Sequence, residues 1–103
     1  MSDRLAALEA MLAEDPGDPF TRYAIAMELK GLGRAQDAQQ AFASLCQACP
    51  DYVASYYQLA RLIIDAGEDD AARPVIERGL EVAETQGDAH AASELRDLLD
   101  ELL

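Results

Sequence analysis

The sequence predicts an all-α protein, about six short helices stacked as repeating antiparallel pairs. Three observations predict it. Ala and Leu dominate the hydrophobic half of the 103 residues, Trp is absent, and Val, Ile and Thr are too scattered for strand-like runs. Turn signals divide the chain at regular intervals: DPGDP at 15–19, GLG at 31–33, CPDY at 49–52, AGEDD at 66–70 and QGD at 86–88. Finally, residues 23–38, YAIAMELKGLGRAQDA, overlie residues 57–72, YQLARLIIDAGEDDAA, at an offset of thirty-four. Tyr23 then meets Tyr57, Ala26 meets Ala60, Gly33 meets Gly67 and Ala38 meets Ala72.

Each interval between turns carries apolar residues at helical spacing. The first helix, about 3–14, has Leu5, Leu8 and Leu12; the second, 19–31, has Ile25 and Leu29; the third, 35–48, has Phe42, Leu45 and Cys46. The fourth, 53–66, has Leu59 and Ile63; the fifth, 70–84, has Ile76 and Leu80; the sixth, 88–101, has Leu95, Leu98 and Leu99, with Leu102 just beyond. Asp18, Asp51, Asp69, Asp70 and Asp88 stand at or near helix starts, where a carboxylate caps orphan backbone N–H groups and meets the positive end of the macrodipole. Pro74 removes about one hydrogen bond from the fifth helix without ending it.

A thirty-four-residue period of two antiparallel helices resembles the tetratricopeptide repeat, whose pattern runs from an aromatic through Leu and a small residue to Ala, Phe and a closing Pro. Residues 19–52 supply Ile25, Ala26, Leu29, Ala38, Phe42 and Pro50; residues 53–86 supply Tyr56, Leu59, Ala60, Ile63, Ala72 and Ile76. Three slots depart from the pattern: Arg22 replaces the first aromatic, Glu84 the second Pro, and Gly79 an Ala. The resemblance implies a small, bacterial-type two-repeat protein forming a right-handed superhelical solenoid. Residues 1–18 would be a half-repeat closing the N-terminal end, because Leu8, Leu12 and Pro16 fall thirty-four residues before Phe42, Cys46 and Pro50. Residues 87–103 would be a capping helix, since His90, Ser93 and Glu94 fall where a third repeat needs an aromatic, a Leu and a small residue. The small residues have a physical role: Ala26, Ala60, Ala38 and Ala72 would sit where paired helices come closest.

Net charge is −12, from twenty acids and eight bases, and such a field repels nucleic acid and anionic membrane. No stretch reaches the length of a membrane span and the opening MSDRLAALEAML lacks a signal-like apolar core, so a cytoplasmic protein is expected. Two cysteines fit a reducing compartment. Cys46 and Cys49 form a CxxC, but Cys46 occupies a core slot and the motif ends a helix, whereas an activated thiol needs a helix start or a cation. Zinc wants four ligands, and beyond the two Cys there is only His90, expected on the surface. Paired Asp69 and Asp70 read as a helix start, and no nucleophile elbow, phosphate loop or calcium loop is present. No enzyme, cofactor or metal is expected.

In the family that the chain resembles, the first helix of each repeat lines a groove for an extended peptide or a partner helix. The resemblance places Phe20, Tyr23, Met27 and Lys30 of the first repeat, and Tyr57, Arg61, Ile64 and Asp65 of the second, on that groove, with Tyr52 at its rim. Tyr and Arg carry much interface energy and Met adapts to varied partners. The family's carboxylate-clamp slots hold Tyr23, Met27 and Gln58 instead of Lys and Asn, which disfavours chaperone tails. An interaction module, scaffold or adaptor for an apolar or acidic protein segment is therefore expected. The alternative is a structural subunit or a homodimer, assembled through the apolar run Leu98, Leu99, Leu102 and Leu103.

Overall fold

The computed structural model describes residues 2–103, and among them every regular element is helical. The helices are α1 (Asp3–Glu14), α2 (Pro19–Gly31), α3 (Ala35–Ala48), α4 (Ala54–Asp65), α5 (Asp69–Gln86) and α6 (Ala89–Glu101). Each packs on its neighbour in sequence, and α6 also touches α4. The connections are too short for anything but antiparallel neighbours, and the stack measures 40 × 29 × 19 Å. It is an all-α helical repeat solenoid.

Helix ends follow from local chemistry. Gly33, Gly67 and Gly87 take φ of 77°, 81° and 70°, a left-handed region that costs Gly little. The next residue then donates its N–H back into the helix just ended: Arg34 to the Leu29 carbonyl at 3.0 Å, Glu68 to Ile63 at 3.1 Å and Asp88 to Ala83 at 2.8 Å. Asp18 and Asp88 cap α2 and α6 as expected, and Ser2 caps α1. Asp69 and Asp70 are not caps: they lie inside the first turn of α5, whose N-cap is Glu68 and has no side-chain capping bond. Their charge there still favours the helix through its dipole. Pro74 lies within α5 and the helix runs through it.

The core is built from the small and large residues at the recurring positions. Ala26, Ala38, Ala60 and Ala72 are fully buried, as are Phe42 and Ile76. The Arg22 departure has a local explanation. Its Nε donates to the Pro16 carbonyl at 2.9 Å, and thirty-four residues later the Tyr56 hydroxyl donates to the Pro50 carbonyl at 2.7 Å. Different side chains thus tie the helix to the same point of the preceding turn.

α5 is four residues longer than α3, and α6 consequently enters two residues later in the pattern. Buried Ala92, Leu95 and Leu98 correspond to Tyr56, Leu59 and Leu62 at an offset of thirty-six. On that register the position of Ala26 and Ala60 is held by Arg96, which is exposed and reaches Glu84 at 3.5 Å. A long, exposed cation thus stands where the two earlier helices have a buried Ala.

Candidate interaction surface

The N-terminal start of α2 is fixed by Asp18, whose Oδ1 accepts the Phe20 N–H at 3.1 Å and whose Oδ2 accepts the Thr21 hydroxyl at 2.6 Å. That hydroxyl, with the backbone N–H groups, holds the Asp18 carboxyl below its ordinary pKa. With Thr21 turned into the core, Phe20 points outward and is 70% exposed. One turn on, Tyr23 is half-buried. Its ring meets Phe42 edge-on at 5.6 Å between centroids, and Tyr52 at 5.6 Å with planes tilted by 54°. Burial first, and then Tyr23 and Asp18, raise the Tyr52 hydroxyl pKa.

Phe20, Tyr23, Ala24 and Met27 line a shallow depression of about 300 Å³, edged by Arg4 and Glu28. Arg4 Nε stands 3.4 Å from Glu28, and the Ser2 hydroxyl donates to the same carboxylate at 2.8 Å. The roles of Arg4 and Glu28 leave no trace in local spacing, because they depend on where α1 lies against α2. Larger hollows exist elsewhere, one between α1 and the turn at Leu32 and one along α5 near Arg78. Neither holds a ring, and the first is edged by Glu9 and Arg34 while the second mixes Asp51, Glu81 and Arg78.

The expected residues on α4 do not line this depression, and they are more committed than their sequence suggests. Tyr57 and Ile64 are half-buried against the core. Arg61 grips Glu101 with two nitrogens, at 3.0 and 3.2 Å, and Asp65 with one at 3.3 Å. These acids, Glu101 foremost, raise the Arg61 pKa, so its charge is answered within the chain. Lys30 donates to the neutral Gln58 amide at 2.9 Å. Of the two cations expected on the groove, Lys30 and Arg61, only Lys30 is left facing a neutral partner.

Two further groups lie apart. Cys46 is half-buried and burial pushes its thiol up to about 11, so it is neutral at ordinary pH, as a core position requires. Cys49 is also half-buried, more so than its place outside the core slots suggested. Among the described residues no group of His, Cys, Asp and Glu is arranged to hold a metal ion, and His90 is exposed beside Glu94. Of the C-terminal leucines, Leu98 is 1% exposed, Leu99 and Leu102 pack partly against the core, and Leu103 is 94% exposed. Most of that apolar run is therefore spent within the chain. No described helix is long and apolar enough to cross a membrane.

The tetratricopeptide repeat family model matches residues 29–95. The solution structure of a tetratricopeptide repeat domain protein from Salinibacter ruber is 39% identical over 85% of this chain and 89% of its own, with a TM-score of 0.80. A crystal structure of the tetratricopeptide repeat domain from the same organism is 38% identical over 82% and 94%, with a TM-score of 0.79. A Bordetella parapertussis protein, 24% identical over 99% of this chain and 89% of its own, shares the fold at a TM-score of 0.82. No curated protein matches this chain.

Proposed function

The chain belongs to the tetratricopeptide repeat family, and from that premise we propose that it is an interaction module that receives a protein segment across α2 and α4. Proteins of this fold generally bind other proteins and are generally not catalysts. The observation that carries the reading is Phe20, a large ring left 70% in water at the edge of a depression floored by Tyr23 and Met27. An exposed aromatic beside half-buried ones offers apolar area without the entropy cost of ordering a long side chain. We assign the partitions 1–18, 19–52, 53–86 and 87–103 to half-repeat, two repeats and cap, and a cytoplasmic setting in which Cys46 and Cys49 stay reduced.

The test is partner recovery from lysate with the wild-type chain and with Phe20→Ser. A partner retained by the first and lost by the second supports the reading; a partner retained equally by both sinks it. Light scattering on the isolated chain measures the homodimer alternative directly.

A further inference from the structure

The reading above runs the surface from α2 across α4, which Lys30 ties together through Gln58 at 2.9 Å, and the same positions continue onto α6. On α6, Glu101 reaches α4 through Arg61 at 3.0 Å, and Asp97, four residues earlier, lies on the same side of the helix. The thirty-six-residue register places Asp97 and Asp100 at the positions that Arg61 and Ile64 hold on α4. Both are exposed. Among the described residues the ion pairs of α6 are His90 with Glu94, Arg96 with Glu84 and Glu101 with Arg61, and Asp97 and Asp100 stand outside all of them.

The face is therefore graded. At α2 it is aromatic and apolar, at α4 its main cation is answered internally, and at α6 it presents two unpaired carboxylates. The whole chain repeats the asymmetry: residues up to Arg34 carry four bases and six acids, those after it four bases and fourteen acids. A field of this shape attracts positive charge and biases it toward the C-terminal part of the chain.

Building on the groove reading above, we propose that the segment it receives is apolar at one end and basic at the other. An aromatic or aliphatic anchor would enter the depression at Phe20, Tyr23 and Met27, and Lys or Arg side chains would meet Asp97 and Asp100. With α4 between them, tied to α2 by Lys30–Gln58 and to α6 by Arg61–Glu101, two spacings of ordinary helix packing put the proposed span at about 16 to 20 Å. An extended segment covers that in about five or six residues, which sets the separation between anchor and basic pair. The sign is opposite to the acidic segment expected from Lys30 and Arg61 alone.

The test uses labelled decapeptides with a Phe-Leu anchor followed, five or six residues on, by two Arg, two Ser or two Asp, titrated by fluorescence anisotropy. On the unaltered chain the Arg peptide binds at least about fivefold tighter than the Ser peptide at about 50 mM salt, and the Asp peptide binds weakest. That advantage falls below about twofold at about 300 mM salt, and likewise in Asp97→Asn combined with Asp100→Asn. Removing acids from the last turns of a helix does not oppose its dipole, and far-UV circular dichroism checks that the variant stays helical. Phe20→Ser weakens all three peptides by a similar factor. Equal binding of Arg and Ser peptides, or an Arg advantage untouched by the double variant, overturns the basic-end inference and leaves the groove reading standing. Binding of no peptide, or binding indifferent to Phe20→Ser, removes both.

Discussion

Gly79 faces Tyr56 with no room for a side chain between them: a Cβ built on Gly79 would lie 2.7 Å from the Tyr56 Cβ and 3.0 Å from a Leu95 methyl. The Tyr56 Cβ cannot swing away as a flexible tip could. Gly79 thus lets α5 approach α4 and α6 at once. Gly to Ala inside a helix ordinarily stabilises by about 1 kcal/mol. Here Gly79→Ala is expected to destabilise by about 1 to 3 kcal/mol, because the overpacking outweighs the propensity gain. Urea unfolding measures the difference, and a stabilised variant would mean that the three helices can part without cost.

Thr21 and Ser55 hold the same place thirty-four residues apart, and both are buried. Thr21 donates to Asp18 at 2.6 Å, whereas the residue matching Asp18 is Tyr52, and the Ser55 hydroxyl has no partner. Ser55→Ala should raise stability by about 1 kcal/mol, while Thr21→Val should lower it by a similar amount. Thermal melts of the two variants should move in opposite directions.

The exposed and half-buried rings of the interaction surface separate by stability. Phe20→Ala should change unfolding free energy by less than about 0.5 kcal/mol. Tyr23→Ala, which strips contacts from Phe42 and Tyr52, should cost about 1 to 3 kcal/mol. Denaturant titration decides this, and equal effects would mean that Phe20 packs in solution as Tyr23 does.

Cys46 supplies a pH dependence. Its folded thiol holds its proton to about 11, above the ordinary value of 9.0. Between those values the unfolded chain has lost a proton that the folded chain keeps, so stability is full below pH 9 and declines as pH rises toward 11. Cys46→Ala should flatten that part of the curve. Alkylation of Cys46, followed by mass spectrometry, should be slow at pH 8 and accelerate only as pH climbs toward the folded value.

Much of the fold was legible because local signals and the thirty-four-residue period agreed. The three left-handed glycines, the buried alanines and the caps Asp18 and Asp88 all fall where sequence chemistry puts them. Helix ends deviate where no cap marks them: α5 runs on to Gln86 until Gly87 stops it. That extension moved α6 out of the simple period, so its match to α4 was hidden behind His90, Ser93 and Glu94. At the candidate surface, what each side chain is committed to was not legible. Phe20 and Tyr23 could be placed on one face from helical spacing, but Arg61's pairing with Glu101 spans forty residues and Tyr23's packing on Phe42 and Tyr52 requires the helix pair to form. Long-range contacts of this kind leave no local trace.

Arg96 also gives the stack a direction of growth. Ala26 and Ala60 are fully buried, whereas the third such position holds an exposed arginine. A protein engineer wishing to lengthen the array by appended helix pairs would have to clear this side chain, and find Glu84 a new companion, before a newcomer could dock on α6 as α3 docks on α2.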